Sequence, residues 1–296
     1  MPPSPSASQP PVLRFAPSPN GRLHLGHALS ALTNERLARM MGGRLLLRIE
    51  DIDRERCTPA LEAALRNDLA WLGIAFDGAV RQQSEHFADY RVATRDLRRR
   101  GLVYACFCSR QEVRAAAAAR AAASGEPWPT DPDGAPLYPG TCRASALGEG
   151  AREIEAPHVL RLDLERALTE AGEGLRYGVF DDEGAVEIVA AQPRRWGDVV
   201  LARKDAPTSY HLAVVLDDAR QGVTHVVRGR DLEAATDIHV LLQRLLGLPA
   251  PLYRFHDLLV DAEGRKLSKS RGSESLAELR AKGVTAQQIR RDLGFA

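Results

Sequence analysis

Lysine is nearly missing from this 296-residue chain: it stands at positions 204, 266, 269 and 282, and every other basic side chain is arginine. Forty basic against 39 acidic residues leave a formal charge of +1, which excludes a uniformly basic nucleic-acid binder but not a local basic face. Long apolar runs are absent too. No window approaches the roughly 18 apolar residues of a membrane span, so no membrane partner is expected. Four cysteines, unevenly spaced, are too few for a disulfide framework in a chain of this length. They point to a reducing cytoplasm and to metal binding instead. The start, Met1 to Pro11, has neither charge nor an apolar core, and reads as a disordered tail rather than a leader.

What is present alternates. Val12 to Ala16 is a strand candidate. Leu25 to Met41 is a helix stopped by Gly42-Gly43, and Leu45 to Ile49 is an apolar run of buried-strand length ending in Glu50-Asp51-Ile52-Asp53. Thr58-Pro59 opens a helix to about Leu72, with threonine at the cap and proline in the first turn, and Ser84 to Arg100 is a second helix. Strand, helix, strand, helix implies an α/β fold: a Rossmann-like, doubly wound parallel sheet. The alanine-rich stretch Ala115–Ala123 and the Pro/Gly/Asp-rich 124–140 read as loop or flexible insertion. Apolar runs resume at Val159–Leu164, Val186–Val189, Val199–Ala202, Leu212–Leu216 and Thr224–Val227 as strand candidates. Leu232–Leu246 is a helix ended by Gly247, and Leu252–Phe255 a further strand. Only short helices fit after Ser270.

Two segments carry chemistry. In Ala16-Pro17-Ser18-Pro19-Asn20-Gly21-Arg22-Leu23-His24-Leu25-Gly26-His27 a glycine stands between two histidines at a helix mouth. Gly26 lets a nucleoside approach the backbone, the helix start offers unpaired N–H groups to an anion, and the imidazoles donate to phosphate. In Lys266-Leu267-Ser268-Lys269-Ser270 two of the rare lysines bracket a serine. A compact, mobile ammonium suits a phosphate chain whose charge shifts during reaction, where the arginine fork favours fixed contacts. Each motif alone has a plain competitor, a surface helix cap or a solvated basic loop.

Together, in this order, they resemble the paired signatures of class I aminoacyl-tRNA synthetases. The stretches Arg14-Phe15-Ala16-Pro17-Ser18-Pro19, Leu47 to Asp53, Tyr210 to Asp218 and Thr224 to Gly229 are similar to the glutamyl members. That resemblance implies ATP binding by Ser18, His24, Gly26, His27, Lys266, Ser268 and Lys269, with His24, His27, Lys266 and Lys269 catalytic and Mg2+ accompanying the ATP. It also implies a glutamate site of Arg14, Phe15, Ala16, Pro17, Ser18, Glu50, Tyr210 and Arg228. There the two arginines take carboxylates, Glu50 the ammonium and Tyr210 supplies a hydroxyl, which agrees with the bidentate habit of arginine. Singly, these residues also fit a solvated strand end, a core aromatic and a surface ion pair. Arg230 departs from the acidic residue usual after the Arg-Gly pair.

Cys106-Phe107-Cys108 with Cys142 supplies three thiolates, and one structural Zn2+ wants a fourth ligand. Resemblance to a short paralogue family offers Tyr138. His158 is the conventional alternative, and Cys57 reads as an incidental thiol. Full glutamyl-tRNA synthetases carry a large C-terminal anticodon-reading part, for which the residues after Ser270 leave no room. The pattern is therefore similar to the truncated paralogues, the glutamyl-Q tRNA(Asp) synthetases. That likeness implies activation of glutamate with ATP, then transfer to queuosine in the anticodon of aspartate tRNA, by a cytoplasmic monomer. The expected division is 1–11 tail, 12–104 first catalytic half, 105–157 zinc-binding insertion, 158–270 second half, and 271–296 helical C-terminus without an anticodon domain. The alternatives are a minimal glutamyl-tRNA synthetase charging the tRNA 3′ end, a small-molecule adenylate-forming enzyme, and a synthetase-like module with a dead site.

Overall fold

The computed structural model describes residues 10–143, 157–260 and 274–295. The expected tail up to residue 9 and the Lys266–Ser270 motif lie outside the described residues. Strand β1 (Val12–Phe15) pairs in parallel with β2 (Arg44–Ile49), which pairs in parallel with the short β3 (Arg81–Gln82). Between them run helices α1 (Leu25–Met40) and, after β2, α2 (Pro59–Trp71). Thr58 caps α2 by accepting from the Leu61 amide, with Pro59 at the first position as the sequence predicts.

The second half returns much later in the chain. β9 (His225–Gly229) pairs in parallel with β10 (Leu252–His256), β10 with β6 (Arg176–Phe180), and β6 in antiparallel with β7 (Val186–Ala190). The two halves join where the Thr224 amide donates to the Val12 carbonyl at 2.9 Å and the Val12 amide to the Thr224 hydroxyl at 2.8 Å. Neighbours Val226 and Val227 fall into different cores, one packed with α6 (Tyr210–Arg220) and α7 (Thr236–Leu246), the other with α1 and α2. Alternation on a strand clad by helices on both faces is the doubly wound arrangement. Between the halves, β4 (Val103–Cys106), β5 (Val159–Leu162) and β8 (Val200–Ala202) form a separate antiparallel sheet. Helix α3 (Phe87–Arg99) leads into it, and α5 (Leu164–Ala171) follows β5.

Two expectations need correction. Ala115–Ala123 is not loop but most of helix α4 (Arg110–Ser124), opened by a reciprocal Ser109–Glu112 capping box and closed by Gly125 at φ 73°. Alanine is the strongest helix former, and caps at both ends outweigh the lack of an apolar stripe. Leu212–Leu216 is not a strand but the middle of α6. All five side chains are buried, and a run buried on every side has no period to distinguish the two states. Smaller shifts occur at boundaries: the second helix opens as a 3-10 turn at Gln83–His86, and α7 begins at Thr236 after a 3-10 turn at Arg230–Leu232. The chain closes with α8 (Leu276–Ala281) and α9 (Ala286–Asp292), the short helices expected there.

Candidate active site

A cleft of about 610 Å3 opens where β1, β2 and β9 present their C-terminal ends beside the start of α1. Its lining includes every described residue that the sequence assigned to ATP or glutamate: Arg14 to Ser18, His24, Gly26, His27, Glu50, Tyr210 and Arg228. The residue types explain their placement. Arg14 is the penultimate residue of the buried strand β1, and the Pro17 carbonyl receives the Glu50 amide at 3.0 Å, fixing the turn beside the end of β2.

His24 is the N-cap of α1. Its Nδ1 accepts from the Gly26 amide at 3.1 Å, and His27 Nδ1 accepts from the His24 amide at 3.2 Å, a capping box built from two imidazoles. With both Nδ1 atoms accepting, each neutral ring carries its proton on Nε2. The ring centroids are 4.0 Å apart. A Cβ on Gly26 would lie 2.9 Å from His24 Cε1, so the glycine makes room for the folded-back imidazole, a reason closer to home than nucleoside approach.

The residues expected to hold glutamate form a charged lattice. Asp218 on α6 accepts from Arg14 Nε at 3.0 Å and Arg48 Nη2 at 2.7 Å, while Arg48 Nε donates to Glu50 at 3.3 Å. Burial opposes ionisation of Asp218, yet Arg14 and Arg48 hold its carboxyl below the ordinary range. Glu50 goes the other way. Its side chain is 12% exposed, and burial raises its pKa despite Arg48 and Arg14. Arg228 is 4% exposed. It donates to the Tyr210 hydroxyl at 3.2 Å and to Thr236 Oγ1 at 2.7 Å, and stands over the Tyr253 ring. It also meets His239 Nδ1 at 3.2 Å, and His239 Nε2 meets His211 Nδ1 at 3.3 Å. A guanidinium only donates, so His239 carries its hydrogen on Nε2 and passes it toward His211. Burial, reinforced by Arg228, lowers the pKa of both, His211 to about 4. Among the described residues, the buried Nε of Arg228 has no acceptor.

Asp218, Arg48, Thr236, His239 and His211 were not singled out in the sequence. One of them had a local signal, an arginine two residues before Glu50. Ser18 contacts Cys57 Sγ at 3.6 Å, so this thiol sits beside the cleft. Arg230 pairs with Glu233 at 2.9 Å and Asp257 at 3.3 Å, tying the rim together. Lys266, Ser268 and Lys269 lie outside the described residues.

The cysteines converge separately. The Sγ atoms of Cys106, Cys108 and Cys142 lie within 4.8 Å of one another, and Cys108 and Cys142 are 3.5 Å apart. Tetrahedral zinc with Zn–S near 2.3 Å spaces its sulfurs about 3.8 Å apart, so the donor set fits that ion. The Tyr138 hydroxyl stands 3.3 Å from Cys106 Sγ and 3.7 Å from Cys108 Sγ, and accepts from the Cys142 amide at 2.8 Å. The Arg161 guanidinium covers its ring at 4.0 Å. His158 is in ring contact with Phe107 instead.

A parallel sheet with its cleft at the strand ends, a two-histidine helix cap and an arginine–carboxylate lattice define the catalytic domain of a class I aminoacyl-tRNA synthetase. The family model for the catalytic domain of class I tRNA synthetases (E and Q) matches residues 12–294. A glutamyl-Q tRNA(Asp) synthetase of Rhodobacter capsulatus is 48% identical over 290 residues, covering 96% of this chain and 100% of the relative. Proteins of the same name from Symbiobacterium thermophilum and Pseudomonas aeruginosa are 38% and 37% identical, covering 93% and 94% of this chain and 83% and 84% of theirs. A glutamate tRNA ligase of Elizabethkingia meningosepticum, solved with its amino acid, superposes with a TM-score of 0.70 at 25% identity. The match covers 96% of this chain and 60% of that one. The chain belongs to the glutamyl-Q tRNA(Asp) synthetase family. Among the described residues no helix is long and apolar enough to cross a membrane.

Proposed function

We propose that the protein activates glutamate with ATP and transfers it to the queuosine base of aspartate tRNA. The observation that carries this reading is the convergence of Arg14, Glu50, Tyr210 and Arg228 with the His24–His27 pair in one cleft. An amino acid with two carboxylates needs two cations and one anion at close quarters, and the cleft supplies that set. The unmatched Nε of Arg228 is a buried donor suited to a carboxylate oxygen, and the buried Glu50 gains a counter-charge when an ammonium binds beside it. Arg14 meets the other carboxylate, and its link through Asp218 to Arg48 keeps it oriented.

In the reaction so read, a carboxylate oxygen of glutamate bonds to the α-phosphorus of ATP and the bond to pyrophosphate breaks. His24 and His27 donate through Nε2 to phosphate oxygens as charge builds there. Lys266 and Lys269 add ammonium groups to the same phosphates. The flanking described residues support this: Leu259 lines the cleft and Ser275 forms a bridge with His24. A hydroxyl of the modified base then takes the acyl group, releasing AMP and a proton. Mg2+ bound with ATP would screen the phosphate charge. One structural Zn2+ would be held by Cys106, Cys108 and Cys142 with the Tyr138 oxygen, tying the start of α4 to the 138–142 turn. We take this zinc-bearing part to be 105–157 and the protein to be a cytoplasmic monomer.

The test is transfer of labelled glutamate, with ATP, onto aspartate tRNA with and without queuosine and onto glutamate tRNA. Label only on the queuosine form is the expected result. Label on glutamate tRNA would replace this reading with a minimal tRNA-charging enzyme.

A further inference from the structure

A second cleft, of about 450 Å3, lies between α3 and the antiparallel sheet, and its charged side chains are all of one sign. Arg91, Arg95 and Arg98 recur at i, i+4 and i+7 along α3 and so share one face of the helix. His158, just before β5, and Arg203 and Lys204, just after β8, line the other side. Among the described residues no carboxylate lines it. Of the cations in the groove, Arg203 pairs with Asp205 at 2.6 Å and with Asp53 at 3.5 Å, while Asp96 on α3 turns to Arg99 and Arg100. In a chain of net charge +1 such a one-signed groove is a local concentration that the total does not announce. One of the chain's four lysines, Lys204, is placed here.

The groove is linked to the active cleft through one carboxylate. Arg203 Nη2 stands 3.5 Å from Asp53 Oδ2, and the same oxygen pairs at 2.7 Å with Arg56, which lines the first cleft. A row of cations therefore leads from α3 across Asp53 to the mouth where acyl transfer would occur. An inorganic anion or nucleotide would need one or two of these groups. A span of six, leading to a second site, fits a repeating polyanion.

We infer that this groove binds the phosphodiester backbone of the acceptor RNA and guides it to the cleft, an inference that rests on the proposed RNA-directed function. Because backbone contacts carry no sequence information, the groove sets affinity and register while the cleft selects the base. Each neutralised phosphate contributes a slope of about 0.7–0.9 in log K against log salt. At 0.1 M salt, three contacts are then worth about 100-fold in affinity relative to 1 M.

The experiment is RNA binding by the triple variant Arg91→Ala/Arg95→Ala/Lys204→Ala as a function of salt, with pyrophosphate exchange dependent on glutamate measured on the same preparations. The control triple Arg39→Ala/Arg114→Ala/Arg291→Ala removes the same charge from exposed sites elsewhere. Expected for the groove variant are wild-type exchange, about 100-fold weaker binding at 0.1 M salt, and a salt slope lower by about 2, equal on aspartate tRNA with and without queuosine. Wild-type affinity and slope would overturn the inference, as would an equal loss in the control triple. A loss confined to the queuosine form would also overturn it, since the groove would then read the base. Absence of exchange in the wild-type protein would refute the proposed activity instead, leaving the groove to be judged by the salt slope.

Discussion

Replacing Glu50 with Gln separates stability from function. Glu50 is buried beside Arg48 and Arg14, and burial outweighs both cations, so its folded pKa stands above the ordinary value. The folded state then holds this proton more tightly than the unfolded chain, and the associated stability is lost as pH rises through the raised value. Burying Glu50 as a carboxylate therefore costs stability, and the Gln variant, which keeps an oxygen for Arg48 Nε, melts higher than wild type at neutral pH in the absence of substrate. Its effect on glutamate is the reverse. A hydrogen bond from an ammonium to a carboxylate contributes about 1.5–3 kcal/mol, and at 1.4 kcal/mol per decade its loss raises KM about 10- to 150-fold. Wild-type KM for glutamate should also fall as pH climbs through the Glu50 pKa, while the variant stays flat. Pyrophosphate exchange across pH and a thermal melt read both effects. A variant with wild-type KM, or one that loses stability along with activity, would refute the assignment of Glu50 to the substrate ammonium.

Arg228→Lys keeps the charge but cannot reach Tyr210, Thr236, His239 and the substrate together. Exchange should fall at least about 30-fold, as for loss of a buried charged contact, and near-wild-type exchange would exclude the fork as the carboxylate contact. His211 is depressed to about 4, so its stability contribution is present above the unfolded value near 6.5 and fades as pH falls toward 4. The loss is on the order of 3 kcal/mol, and urea titrations from pH 7 to 4 should show a shallower decline in His211→Asn than in wild type. Purified protein should carry one zinc per chain by elemental analysis, and Cys142→Ala should lower both zinc content and melting temperature. Full zinc content in that variant would remove Cys142 from the ligand set.

The sequence exposed the outline because the first catalytic half alternates cleanly. Val12–Phe15, the Thr58-Pro59 cap and the Gly42 stop are local signals, and each acts within a few residues. Leu212–Leu216 was opaque for the opposite reason: buried on all sides, it carries no period, and tertiary packing made it a helix. Ala115–Ala123 carries no apolar stripe, and its helix is marked only at the ends, by Ser109 and Gly125. In the cleft, the residues proposed to face substrate were legible by resemblance. Asp218, His239 and Thr236, which hold those residues in place, act across 204, 11 and 8 positions and have no local pattern to give them away.

The seam between β1 and β9 has a kinetic meaning. Val12 and Thr224 meet across 212 positions, and the cleft draws Arg14 from one side of that seam and Arg228 from the other. During synthesis the first strand must wait, with a buried-type edge open, until β9 leaves the ribosome. Contacts of such separation close late and fold slowly. Catalytic competence is therefore among the last properties the nascent chain acquires, and chaperone demand should concentrate in the interval when β1 and β2 exist without their partner.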